Sequence, residues 1–247
     1  MEENRMKFSG YARSFLKDFS MKSGIYTQTF FGVYPYMFSP QQLIFMTENL
    51  KDTRDVEGCC LEAGCAYGAT TVFLNKFMQV EGMTKPYVAI DTFSGFVKDQ
   101  CEYEINQRKK RKRIRHSFSE NKQEWFDYTV SREKIPDVRS FCCDITRFDF
   151  QDLGPISFCL LDVDLYLPVK DVLPKIYNQM SPGGIIIVDD CRSDCDWDGS
   201  YLAFQEFCQQ KNIREEIHYG KLGLIKKPRT KSLEENAEGA TGLLLRD

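Results

Sequence analysis

Four aspartates gathered in two short motifs are the residues of this chain best suited to chemistry. Leu160-Leu161-Asp162-Val163-Asp164-Leu165-Tyr166 carries two of them, and Val188-Asp189-Asp190 carries the other two. Each motif ends an apolar run, Ser157 to Leu161 for the first and Gly183 to Val188 for the second. Runs this short and this apolar read as parallel strands buried on both faces. Pro168 to Met180, between them, has helical composition, so the unit is β-α-β. A right-handed crossover sets two such strands side by side or nearly so, with their C-terminal ends at one edge of the sheet. That is the edge where open α/β sheets bind ligands. Four carboxylates brought there would repel and drive some of their pKa values up. A divalent cation is the simplest compensation, because hard oxygen donors suit magnesium, calcium or manganese. The competing reading is that strand-end aspartates merely cap the next helix, and Asp190, before Cys191-Arg192-Ser193, is the member most open to it.

A second constellation precedes this one. Glu62-Ala63-Gly64-Cys65-Ala66-Tyr67-Gly68 closes one strand and opens a helix, and Gly64 and Gly68 permit a tight turn with close backbone approach by a ligand. Asp91 ends the following strand, where a carboxylate can accept from both hydroxyls of a ribose. Dinucleotide and S-adenosylmethionine sites share this pattern. Glu62 would crowd a pyrophosphate but suits a cationic ligand, and Ala66 breaks the G-x-G-x-x-G spacing, so the balance favours S-adenosylmethionine over NAD. Asp144, at the end of a third strand, could meet the adenine amino group. A simple tight turn is the alternative for the whole set.

The elements that must position these groups alternate. Strands are predicted at Cys59 to Ala63, Tyr87 to Asp91, Val138 to Asp144, Ser157 to Asp164 and Gly184 to Asp190. Helices are predicted at Gly68 to Val80, Pro168 to Met180 and about Gly199 to Lys211. Arg214 to Tyr219 and Leu222 to Lys227, joined by Gly220-Lys221, read as a terminal antiparallel hairpin. Such alternation argues an α/β, doubly wound, mostly parallel sheet of the class I methyltransferase type. Residues 1–58 form an N-terminal extension that would cap the substrate. In it Phe8, Tyr11, Phe15, Leu16 and Phe19 recur at helical spacing, and Ser39-Pro40-Gln41-Gln42 starts a second helix running to about Leu50. The aromatic stretch from Tyr26 to Phe38 either packs on the sheet or lines a pocket. Residues 59–227 form the cofactor domain, with an insertion at 92–137, and 228–247 read as a mobile tail.

Composition narrows the function classes. With 247 residues, 42% of them hydrophobic, the chain suffices for one substantial core. A net charge of −3 and a pI near 5.6 argue against general nucleic-acid affinity. No apolar run is long enough to span a membrane, and the first residues do not resemble a signal peptide, so a cytoplasmic protein is expected. Ten cysteines lack any Cys-x-x-Cys pair and have only His116 and His218 to complete a zinc site, which favours free, mostly buried thiols. Arg108-Lys109-Lys110-Arg111-Lys112-Arg113 is flanked by Glu102, Glu104, Glu120 and Glu124, and reads as a solvated face or lid rather than a site for an anionic substrate.

Four blocks together resemble a known family. Glu62-x-Gly64-x-x-x-Gly68-x-Thr70, Asp91-Thr92-Phe93-Ser94-Gly95-Phe96, Asp162-Val163-Asp164-Leu165-Tyr166 and Pro182-Gly183-Gly184-x-x-x-Val188-Asp189-Asp190 are similar to the macrocin O-methyltransferases, across roughly Glu57 to Lys227. The resemblance implies S-adenosylmethionine at Glu62, Gly64, Gly68, Thr70, Asp91, Ser94, Asp144 and Asp162. It implies magnesium (or manganese) on Asp162, Asp189 and Asp190, and Asp164 as general base. The expected reaction is metal-dependent methylation of a small-molecule hydroxyl, on a sugar or other vicinal diol of a natural product. RNA or another anionic methyl acceptor, and a non-catalytic cofactor-binding module, are the alternatives. A homo-oligomer is compatible with the sequence.

Overall fold

The protein was analysed as a computed structural model that describes Phe19 and residues 37–229. The predicted helix around Phe8 to Phe19, apart from Phe19 itself, most of the aromatic stretch and the tail beyond 229 lie outside the described residues. The chain divides into compact units after Met37, and the unit from Phe38 onward holds every element below.

Helix α1 is Pro40–Asp52. Ser39 caps it: its hydroxyl accepts from Gln42 N at 3.3 Å, and the Gln42 side chain accepts from Ser39 N at 2.8 Å. Strand β1 is Cys59–Ala63 and helix α2 Ala69–Val80, followed by strand β2 at Tyr87–Asp91. The insertion carries α3 (Lys98–Asn106), a 3₁₀ turn at Lys112–His116 and α4 (Gln123–Arg132). Then come β3 (Val138–Cys142), β4 (Ile156–Leu161), α5 (Tyr166–Gln179), β5 (Met180–Val188), α6 (Gly199–Lys211), β6 (Ile217–His218) and β7 (Leu222–Lys226).

The sheet order is β3-β2-β1-β4-β5-β7-β6. The first five strands pair in parallel; β7 is antiparallel to both β5 and β6. The fold is therefore the doubly wound class expected, with the hairpin's second strand inserted next to β5. Strands β1 and β4 are buried along their whole length, and Leu61, Ala63, Cys159, Leu161, Ile186 and Val188 share one core with Val169, Val172 and Ile176 of α5 and Phe204 and Phe207 of α6. All ten cysteines are free, and seven of them are buried.

Three strand ends fall short of the sequence reading, and all three matter for the site. Strand β4 stops at Leu161 rather than reaching Asp164. Only one further ladder bond forms, Asp162 N to Ala63 O at 2.8 Å, because β1 itself ends at Ala63. Strand β5 stops at Val188, again with one more bond, Asp189 N to Leu161 O at 2.9 Å. Strand β3 ends at Cys142, and Asp144 instead caps the 3₁₀ turn Ile145–Arg147. At its other end β5 begins at Met180, earlier than predicted. Pro182 and Gly183 are absorbed by a register shift in which Ile156 pairs with Met180 while Phe158 pairs with Ile185.

Candidate active site

The glycine turn and the acidic loop meet backbone to backbone. Gly64 has φ +85°, and a Cβ built there would lie 1.8 Å from the Asp162 carbonyl oxygen. Only glycine fits such an approach. Gly68 adopts φ +87° as the N-cap of α2, and a Cβ there would press on the Phe126 ring at 3.0 Å. Asp91 braces this turn: one carboxylate oxygen accepts from Ala66 N at 2.9 Å and the other from Phe93 N at 2.7 Å. Its carboxyl nonetheless stands above the ordinary range, since burial outweighs those bonds. Ser94 is exposed in the bend after β2, with its hydroxyl donating to Thr92 O at 3.2 Å, and Thr70 is half-buried in the first turn of α2.

Glu62 is placed differently from a residue held open for a ligand. It is 1% exposed, and one oxygen accepts from Thr71 Oγ1 at 2.6 Å and from the Tyr87 hydroxyl at 2.7 Å. Burial pushes its carboxyl up to about 7 despite both donors. Asp144 accepts from Thr146 N at 3.0 Å, from Thr146 Oγ1 at 2.8 Å and from Gln100 Nε2 at 3.3 Å.

The four aspartates form one interacting set. Partial burial drives the Asp162 carboxyl far above the ordinary range, and the charges of Asp189, Asp164 and Asp190 drive it further. Asp164 is raised in the same way, by burial and by the nearby carboxylate of Asp190. Asp189, 3% exposed, is pushed up to about 6 by burial and by Asp190, with Lys221 opposing. Asp164 and Asp190 both sit in left-handed backbone, at φ +60° and +55°. The turn at Asp164 is pinned from outside: Ser200 N donates to Asp164 O at 3.2 Å, and Tyr166 N donates to the buried Glu104 at 2.7 Å. Alternation along a strand therefore does not govern Asp162 and Asp164, as the sequence argument assumed. Their directions are set by these loop contacts.

Two residues that sequence reasoning missed complete the site. Lys221, in the β6–β7 turn, donates to Asp189 Oδ2 at 2.7 Å and lies 3.7 Å from Asp190 Oδ1. Its only signal was a Gly-Lys pair that announced a turn. Glu104, in α3, is 2% exposed and holds the Asp164 loop through Tyr166 N while accepting from Arg108 Nε at 2.8 Å. Arg108 also bonds Asp198, Lys110 lies 2.7 Å from Asp198, and Arg113 bonds Asp196. The basic run thus ties the insertion to the loop before α6. Glu102 pairs with Arg115 rather than within the run.

Among the described residues, no three carboxylate, imidazole or thiol groups stand at the spacing of a ready-made metal site. The donor chemistry nonetheless fits a hard divalent cation. Asp189 Oδ1 is buried with no hydrogen-bond partner, beside three further carboxylates and a single ammonium.

The model of the macrocin-O-methyltransferase family matches residues 41–220. The solved O-methyltransferase NovP is similar, at 18% identity and a TM-score of 0.65, covering 78% of this chain and 82% of that one. So is CalS11, a calicheamicin methyltransferase, at 19% identity and a TM-score of 0.64, with 88% and 91% covered. An rRNA methylase from Streptococcus thermophilus is similar at 14% identity and a TM-score of 0.52, with 78% and 99% covered. At such identities the structures speak for the fold alone. A search of curated proteins finds no match. The family match spans well over half the chain and takes in the glycine turn, the Asp162 loop and the Asp189-Asp190 strand end, so this protein belongs to the macrocin-O-methyltransferase family.

Proposed function

We propose that the protein transfers a methyl group from S-adenosylmethionine to a hydroxyl of a small natural product, a sugar or other vicinal diol, with the help of a divalent cation. The observation that carries this reading is the contact of Gly64 with the Asp162 backbone, which puts a cofactor-type turn and an acidic cluster at one sheet edge. S-adenosylmethionine would supply an electrophilic sulfonium methyl. Asp91 would receive its ribose hydroxyls, Gly64 and Gly68 would allow its close approach, and Thr70, Ser94, Asp144 and Asp162 would surround the remainder, with Glu62 behind them bonded to Thr71 and Tyr87. Magnesium or manganese, held by Asp162, Asp189 and Asp190, would supply Lewis-acid chemistry that makes a hydroxyl more acidic and fixes its direction.

The protein's own share is placement and proton transfer. The acceptor oxygen must lie in line with the methyl at about 3 Å, and the walls of the site must hold it there. Asp164 is the residue proposed to take the hydroxyl proton as the oxygen attacks. Its raised pKa suits a base that must bind a proton firmly. The Asp164 loop is rigid because Glu104 and Ser200 hold its backbone, so the carboxylate does not have to be ordered during the reaction. Half of the basic run is engaged within the chain rather than offered to an RNA acceptor, since Arg108, Lys110 and Arg113 pair with Glu104, Asp196 and Asp198. Calorimetry with S-adenosylhomocysteine and, separately, NADH tests the cofactor. Binding of the first alone supports the proposal, and binding of NADH alone overturns it.

A further inference from the structure

Lys221 holds a position that a turn lysine has no reason to take unless it neutralises the acidic cluster. Its side chain is 14% exposed, its ammonium donates to Asp189 Oδ2 at 2.7 Å, and Asp190 Oδ1 is 3.7 Å away. On the other side the ammonium stands 4.5 Å from the centre of the Phe38 ring. The backbone is fixed as firmly as the side chain. Cys191 N, one residue past Asp190, donates to Lys221 O at 2.7 Å, so the hairpin turn is tied to the acidic strand end. Helix α1 buttresses the same turn: Gln42 donates to Tyr219 O at 3.0 Å, and Phe45 stacks on His218 with ring centres 4.6 Å apart.

Resting on the metal reading above, we infer that the Lys221 ammonium is a built-in counter-ion that competes with the divalent cation for Asp189 and Asp190. Asp189 is divided between the two: Oδ2 is taken by Lys221, while Oδ1 is buried with no partner. An ammonium and a doubly charged ion sharing one carboxylate would repel strongly at a separation of a few ångströms. Cation entry therefore expels the ammonium from Asp189, and by linkage the ammonium weakens the cation. Without the metal, Lys221 keeps four crowded carboxylates from flying apart. With it, the lysine swings clear. The family match ends at residue 220, one short of this lysine.

Manganese alone, titrated into the full chain and read as free ion by electron paramagnetic resonance, tests this. Lys221→Met keeps the apolar stem and removes the charge, so it should bind manganese at least about tenfold more tightly than wild type. Lys221→Arg, which keeps the charge, should stay within about threefold of wild type. Equal or weaker binding by a folded Lys221→Met overturns the competition while leaving the metal reading intact. No binding by either protein removes both. If Lys221→Met does not fold, the wild type still decides. Acylation of Lys221 by an amine-reactive reagent, read by mass spectrometry, should rise when manganese is added, and an unchanged or lower yield refutes displacement.

Discussion

Glu62 offers a sharp test, because its burial predicts a pH dependence with a definite sign. Its carboxyl is pushed up to about 7 in the fold against an ordinary value of 4.5, and burial is the first cause. A carboxyl that binds its proton more tightly folded than unfolded makes the protein lose stability as pH rises between those two values. Below about 4.5 both states are protonated and the contribution is flat; above about 7 both are ionised and the full cost is present. At about 1.4 kcal/mol per pH unit the whole effect is about 3.5 kcal/mol, of which roughly 2–3 kcal/mol falls between pH 5 and pH 8. Glu62→Gln keeps the shape and an acceptor for Thr71 and Tyr87 but cannot ionise. Other carboxyls are raised by burial too, Asp91 and, to about 6, Asp189, so the quantity to follow is the mutant's stability minus the wild type's. Urea unfolding at pH 5, 6, 7 and 8 should show that difference moving in the mutant's favour by roughly 2–3 kcal/mol. A difference flat across the range would mean that Glu62 is ionised throughout, and the argument from burial would fail.

Three further substitutions probe the rest of the site. Gly64→Ala should cost about 1–2 kcal/mol from its left-handed backbone alone. The collision with Asp162 O adds to this and should abolish S-adenosylhomocysteine binding by calorimetry. Asp162→Asn removes one of four mutually repelling charges, so its melting temperature in chelator at pH 8 should exceed that of wild type while manganese affinity falls. A lower melting temperature would show that the repulsion is already relieved. Glu104→Ala strands Arg108 and leaves Tyr166 N without its acceptor, a loss of about 3 kcal/mol by chemical denaturation. A loss under about 1 kcal/mol would show that Asp198 alone satisfies Arg108.

The sequence alone determined the strand–helix alternation and hence the sheet. Strands Cys59–Ala63 and Tyr87–Asp91 were read with their observed bounds, because an apolar strand buried on both faces needs no partner to be recognised, and so was the helix Gly199–Lys211. The capping box at Ser39 was equally local. Motif spacing also placed four aspartates and two glycines at one edge, since the hand of a crossover is fixed by backbone chirality. What the tertiary structure decided begins where each apolar run ends. Whether Asp162 to Asp164 continued a strand depended on the register that sets Leu161 beside Ala63, the last residue of the neighbour, and no local pattern encodes that register. Apart from Glu104, which pairs with Arg108, the partners of the basic run lie at Asp196 and Asp198, far along the chain. Glu62 reads as a ligand by its motif, yet strand alternation turns it toward Thr71 and Tyr87. Lys221 was the least legible of all. Charge acts through space, and only the insertion of β7 beside β5 carries a hairpin lysine to the carboxylates that need it.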